Sequence, residues 1–508
     1  MKRIVYALLG GLFLLAACQD AKVPADYAET DTTPNIYPDY ADVTVPINMA
    51  PLHFQLMDEA DEVVTRLTAG SEQTVCEGRK VMPAPADWRR LAEAAQDKGI
   101  GVEVFAQRDG KWLRYKPFHI YVSADSIDPW LSYRLISPSY VTYEELTINQ
   151  RCLESYEERV IYDNMLCSTE KDGQCINCHN YQNGNPQRMQ FHARQNLGGT
   201  VINYDGKIIK TNLKTDSTLS AGVYPSWHPR LPLIAYSTNL TMQTFHTRDL
   251  NKIEVLDSQS DLILYDLEHG EVSTVENDPD EFEVFPFWSP DGKYLYYSSA
   301  HFELLDTMSA EAQSIKRYKE IKYNIYRKAF DEQKLTFGPR EMVFDAASQG
   351  LSATLPRISP DGRWLLLSVG EWGCFHIWHR DADLWLVDLK SEERRVKSEE
   401  SSLKARPFDE VNSPNTEAYH TWSRSGRWIV FSSRRYDGDF TRPFFAHVDE
   451  DGHATKPFEL PQDDPDYHRQ LMKSYNIPEL MTGPVTVKPQ EWADVLKKPA
   501  QPAKYVVR

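Results

Sequence analysis

The chain has 508 residues, 26% of them charged, and a formal net charge of −18 at neutral pH. That acidity argues against a partner that is nucleic acid or an anionic surface, since both recruit positive charge. The length allows two or three domains, and 27 tyrosines and 12 tryptophans suit sheet-rich packing.

Met1-Lys2-Arg3 is a basic start, Ile4 to Leu14 is apolar, and Leu15-Ala16-Ala17-Cys18 follows. This is the pattern of a signal peptide with a small-residue cleavage site, and its apolar run is short for a membrane span. Ending on cysteine, it resembles a bacterial lipobox. The resemblance implies cleavage before Cys18, acylation of that thiol and, because Gln19 follows rather than aspartate, a lipid anchor in the outer membrane. Residues 1–18 are then leader and anchor. Residues 19–42, acidic and proline-containing, read as a flexible tether.

From residue 43 the pattern is β-like. Val102–Phe105 and Trp112–Tyr115 flank Asp109-Gly110, a strong hairpin signal. One helix is expected, capped by Asp87, with Trp88, Leu91, Ala92 and Ala95 as its apolar stripe and Gly99 at its end. Residues 43–150 therefore predict a β-rich domain, sandwich-like, with no catalytic pattern.

Residues 151–200 are rich in polar turn formers and read as a loop-rich segment. They contain Cys175-Ile176-Asn177-Cys178-His179. Two thiols at this spacing can each add to a vinyl group of one haem, and the adjacent histidine then ligates iron. The motif therefore predicts one covalent haem c on Cys175 and Cys178, with His179 as proximal ligand. A plain disulfide, a redox pair and half a zinc site are the other readings. An oxidising envelope favours haem. Met189 and His192 are the nearest distal-ligand candidates, with Met165 and His420 behind them. Of the other cysteines, Cys152 and Cys167 are the expected disulfide, although connectivity is not written in a sequence.

Downstream the chain repeats. Pro225-Ser226-Trp227-His228-Pro229, Pro286-Phe287-Trp288-Ser289-Pro290-Asp291-Gly292, Pro356-Arg357-Ile358-Ser359-Pro360-Asp361-Gly362 and His420-Thr421-Trp422-Ser423-Arg424-Ser425-Gly426 each precede an apolar strand, and a further strand pair follows. Ser-Pro-Asp-Gly suits a type I turn. Four strands per unit at a regular period is the signature of a propeller blade. An earlier, weaker copy includes Gly199–Ile202 and Lys207–Lys210. The repeats, spanning 188–460, resemble TolB-like β-propellers. Together with the haem motif and the leader, they are similar to TolB-like lipoproteins of Bacteroidetes that carry a haem c motif. The resemblance implies an all-β chain with about six blades, one of them assembled from flanking segments. Residues 461–508, proline-rich after a short helical stretch from Tyr467 to Tyr475, read as a tail wrapped on the fold.

No GxSxG, HExxH, P-loop or GxGxxG is present, so no hydrolase or nucleotide-binding reading emerges. Two functions remain, with a third, a haem enzyme that has an open iron site, behind them. One is electron transfer to an envelope protein partner through the haem. The other is a propeller that recognises a protein or a glycan, with haem structural or sensory. The long connections at 238–260, 300–322, 369–382 and 434–442 fall at the same point of each blade and predict one binding rim. They bring His246, His301, Cys374, His376, His379, Arg434 and Arg435, and His420 starts its strand on the same side.

Overall fold

The computed structural model describes residues 22–137, 145–169, 172–305, 308–391 and 402–508. Cys18 and the leader lie outside the described residues. No helix among the described residues is long and apolar enough to cross a membrane.

The fold is all-β, with an N-terminal sheet domain and a propeller. The N-terminal domain sets a seven-stranded sheet against a three-stranded one. Its Asp109-Gly110 turn has both residues in the left-handed region (φ 50° and 75°) and joins Lys98–Arg108 to Lys111–Arg114, as a two-residue hairpin turn requires. The helix runs Pro85–Ala94 and buries Trp88, Leu91 and Ala92. Proline at its first position starts it; Asp87 lies inside the first turn rather than capping it, and the end is at Ala95 rather than Gly99. The tether is partly ordered, because Ala28–Glu29 pairs with Leu113 and Arg114, and Ile36–Tyr37 pairs with Phe54–Leu56.

Among the described residues, six four-stranded antiparallel sheets follow one design, and a parallel bridge from Ser260 to Phe282 joins the second to the third. Their inner strands are Gln174–Tyr181, Val223–Trp227, Glu281–Trp288, Ser352–Ile358, Glu417–Trp422 and Ser474–Met481. Each touches the next, and the sixth touches the first. The first sheet continues outward through Arg188–Gln195, Gly199–Tyr204 and Lys207–Asn212. The turn formers of 151–200 thus sit between strands, and the segment is not one long loop.

The sixth sheet joins distant parts of the chain. Its inner strand Ser474–Met481 pairs with Trp130–Ile136, which leads on to Thr147–Cys152 and Glu158–Asp163. Trp130–Ile136 and the start of Thr147–Cys152 fall in residues 43–150, expected to form the N-terminal domain, and are instead propeller strands. The tail is not merely wrapped: it supplies an inner strand, and the helix expected up to Tyr475 ends at Gln470. Beyond it, Gln501–Pro502 and Lys504–Tyr505 pair in parallel with the outer edges of the first and second sheets.

Every inner strand is kinked at one non-glycine residue with positive φ: Cys178 (56°), Tyr224 (51°), Phe285 (53°), Leu355 (55°), Tyr419 (48°) and Ile477 (52°). The ladder shifts register there in all six sheets. Such a backbone costs about 1 kcal/mol or more at each site, and the bulge re-aims the side chains beside it. The next residue is Pro225, Pro286, Pro356 or Pro478, or else His179 or His420. Proline is tolerated because an inner strand is the edge of its own sheet.

Candidate functional site

The kink register places the Cys-Ile-Asn-Cys-His motif. Cys178 occupies the kink of the first inner strand, and His179 stands where four other strands have proline. Cys175, Ile176 and Asn177 pair with Arg194, Ala193 and His192 before the ladder breaks. Two side chains pin the kink from opposite sides. Arg134 of the sixth sheet donates from Nη1 to Ile176 O (3.0 Å) and Asn177 Oδ1 (2.6 Å), and Gln190 Nε2 donates to Cys178 O at 2.6 Å.

Both thiols are free; Cys178 is buried and Cys175 half-buried. Burial pushes the Cys178 thiol up, with the Arg194 guanidinium opposing, so it is protonated at neutral pH. His179 is 1% exposed. Burial, then the Arg134 charge, lowers its imidazole to about 3, which keeps it neutral with a lone pair available. Neither ring nitrogen has a hydrogen-bond partner among the described residues. The ring packs edge-on to Tyr181 at 6.2 Å, and the Ile477 backbone lies near it without hydrogen-bonding geometry. An unpaired buried polar group costs roughly 1–3 kcal/mol, a cost that a bond to iron would remove. Two thiols and an unpaired neutral imidazole are the donors a haem c uses, so the residues fit the group chemically. The space is tighter. All six kink residues line a void of about 40 Å³ beside Cys178 and His179, against the roughly 300–1,000 Å³ of an ordinary ligand pocket. A macrocycle on these thiols requires neighbours such as Tyr224, Phe285 and Tyr419 to stand aside.

The distal candidates are dispersed. Met189 and His192, three residues apart on one strand, face opposite sides of the sheet. Met189 is fully buried in the apolar cluster of Trp130, Ile148, Phe191 and Trp492, and His192 Nδ1 meets Thr200 Oγ1 at 3.0 Å. Burial lowers His192 to about 3. His420 follows the kink of the fifth inner strand; its Nε2 meets Leu366 O at 3.0 Å, and the sixth sheet stands between it and His179. Met165 is 53% exposed in a one-turn 3-10 helix, Asn164–Leu166. Cys152 and Cys167 are free thiols rather than a disulfide, both packed in the cluster that contains Met189.

The expected rim is mostly internal structure. Residues 238–260 fall largely within two long paired strands, Leu233–Phe245 and Ile253–Asp266, not in a loop. His379 Nε2 lies 3.0 Å and His246 Nε2 3.7 Å from the carboxylate of buried Glu254, to which Trp372 Nε1 also donates at 3.2 Å. His376 is buried, its Nε2 meeting Gly373 O at 3.1 Å and its Nδ1 meeting Ser368 Oγ at 3.2 Å. Arg434 is buried over the Trp378 ring, and burial lowers it to about 10. Arg435 donates to Glu417 at 3.2 Å, and Cys374 is buried with its thiol pushed well up. Of these residues only His301 is largely exposed, 3.4 Å from Glu281. His246 and His379 meet at Glu254, and Arg434 lies over Trp378, so these three join one connection to another.

A second feature was not foreseen. Two residues after each kink stand Asn180, Ser226, Phe287, Arg357, Thr421 and Glu479, and three after it stand Tyr181, Trp227, Trp288, Ile358, Trp422 and Leu480. All twelve line a funnel of about 360 Å³ that opens among the Ser-Pro-Asp-Gly-type turns. The visible signal was Trp227, Trp288 and Trp422, each two residues after Pro225, Pro286 or His420. Its register about an axis was not visible.

No family model matches the sequence, and no curated protein does either. Among solved structures, the chain is similar to hydrazine synthase of Kuenenia stuttgartiensis (12% identity, 56% of this chain, 65% of that one, TM-score 0.32). It is also similar to prolyl oligopeptidase B of Galerina marginata (10%, 67% and 52%, TM-score 0.36) and to an oligogalacturonate lyase in complex with manganese (12%, 70% and 84%, TM-score 0.30). The chain spans about two thirds of the first and half of the second. At these scores the likenesses carry no argument about activity, ligand or partner.

Proposed function

We propose that the chain is an outer-membrane lipoprotein, anchored through Cys18, that carries one covalent haem c on Cys175 and Cys178 and exchanges electrons with an envelope protein partner. The observation that carries this reading is His179: a neutral imidazole inside a CxxCH motif, 1% exposed, with both ring nitrogens unpaired among the described residues. Haem would supply one-electron redox chemistry. The chain's own part is to hold the motif. Arg134 and Gln190 hold the kinked backbone, and Arg194 places positive charge beside both thiols. The second reading, a propeller that binds a protein or glycan around a structural or sensory haem, draws on the narrow void beside the motif.

The test is expression of the full chain with a working cytochrome c maturation system. The mature protein is expected to keep its haem through acid–acetone extraction and to lose it when Cys175 and Cys178 are both changed to Ala. An unmodified mass for the mature wild-type chain overturns the proposal. Fast, reversible exchange with a co-purified envelope protein supports electron transfer, whereas partner binding that survives the double substitution unchanged supports the binding module. Cys18→Ser is expected to leave the protein unanchored.

A further inference from the structure

We propose that the funnel on the turn side of the propeller is a binding site for a small carboxylate, held by Arg357 with its remaining polar groups toward Glu479. The proposal does not rest on haem. The funnel is a built site, since every inner strand contributes to it at the same register, and five of the six side chains two residues past the kinks are polar or charged.

Most of those polar groups are already engaged. Asn180 Nδ2 donates to Glu479 Oε1 at 2.7 Å, Thr421 Oγ1 donates to Pro478 O at 3.0 Å, and Ser226 Oγ accepts from Trp288 N at 3.1 Å. Arg357 is the exception. Nη1 donates at 3.1 Å to the carbonyl of adjacent Pro356, and the guanidinium lies 4.8 Å from the Phe287 ring centroid. The rest of its five-donor fork makes no hydrogen bond to any described residue. A fork of this kind matches a carboxylate in two parallel bonds.

Charge decides the class of anion. Glu479 is the nearest opposite charge, and burial raises its carboxyl to about 7 against the pull of Asn180 and Arg357. One guanidinium facing one carboxyl suits a monoanion that also carries a donor group, and it opposes a dianionic phosphate. Trp227, Trp288 and Trp422 line the same space, giving the ligand's carbon frame aromatic surface. The indole N–H groups of Trp227 and Trp288 have no partner among the described residues.

The experiment is a titration of the full mature chain, read by tryptophan fluorescence and calorimetry. The probes are glucuronate (a carboxylate with hydroxyls), phenylalanine (a carboxylate with an ammonium) and the neutral sugar methyl glucoside. At least one carboxylate is expected to bind below about 1 mM, and the neutral sugar is not. Which of the two binds identifies the donor that Glu479 meets. Arg357→Gln is expected to weaken binding by 10-fold or more, and Arg357→Lys, which keeps charge but loses the fork, by a smaller factor. Arg363→Gln, outside the funnel, is expected to change nothing. Unfolding curves like those of the wild type establish that the variants are folded. The proposal is overturned by absence of carboxylate binding up to about 10 mM, or by binding that is unchanged in both Arg357 variants.

Discussion

Glu283 shows how far single residues depart from their solution chemistry. Its side chain is fully buried on the third inner strand; Oε1 accepts from Asp278 N at 3.3 Å, and Oε2 has no partner among the described residues. Burial, reinforced by the carboxylates of Asp261, Glu276 and Glu281, raises it from 4.5 to about 9. The folded chain therefore holds a proton that the unfolded chain releases. This contribution to stability is fully present below about pH 4.5 and is lost as pH rises through about 9. Glu283→Gln keeps the shape and removes the titration. The variant is expected to gain about 1–3 kcal/mol relative to wild type at about pH 8, with little difference near pH 4, in urea unfolding at the two pH values. A constant difference across that range would mean that Glu283 is ionised in the fold. His179 is the counterpart: burial keeps it neutral, which is the state that ligates metal.

The turns show that one sequence motif acquires different energetics in different sheets. In both intact copies the serine hydroxyl bonds the aspartate two residues on, and the glycine N–H donates back to the serine carbonyl at 2.8 Å. Gly292 and Gly362 have φ of 71° and 74°, the region that makes glycine necessary. Their surroundings differ. A Cβ on Gly292 would stand 2.5 Å from His228 Nε2, whereas one on Gly362 meets nothing within 4 Å. Gly362→Ala is therefore expected to cost about 1–2 kcal/mol, the left-handed penalty alone. Gly292→Ala is expected to cost at least about 1 kcal/mol more, because the buried His228 ring must move. Paired thermal unfolding curves check this, and equal losses would show that the turn backbone alone sets the cost. These turns were legible in the sequence because their chemistry is local. The kinks were not, since Cys, Tyr, Phe, Leu and Ile carry no common turn signal. Only the ring of packed inner strands holds those residues at positive φ.

At the scale of the molecule, the N-terminal domain and the propeller share one core. Val43, Leu67, Trp88 and Ile120 belong to the same apolar cluster as Trp428, Phe445, Phe458 and Tyr475. Trp428 Nε1 also donates to Asp125 O at 3.0 Å, and Tyr40 Oη to Glu459 O at 3.2 Å. Residues 22–127 expressed alone would expose the face that packs on the fifth sheet. That fragment is expected to aggregate or to bind hydrophobic dyes, while the full chain unfolds through the shared core in one transition. A soluble, dye-silent fragment with a cooperative transition of its own would show that the shared cluster is dispensable.

The sequence by itself determined what depends on neighbours along the chain. It specified the Asp109-Gly110 hairpin, the serine-capped turns, the four-strand period and the spacing of Cys175, Cys178 and His179, because turn chemistry and hydrophobic alternation act over a few residues. The tertiary structure alone decided what depends on residues brought together from afar. Ser474–Met481 enters a sheet whose other strands lie more than 300 residues earlier. Residues Cys175 to His179 lie on an inner strand, where Arg134 and Gln190 bond the backbone and Arg188–Gln195 pairs with it. Arg357 and Glu479 came to face each other only because the inner strands stand side by side about one axis, and no local pattern records which strands those are.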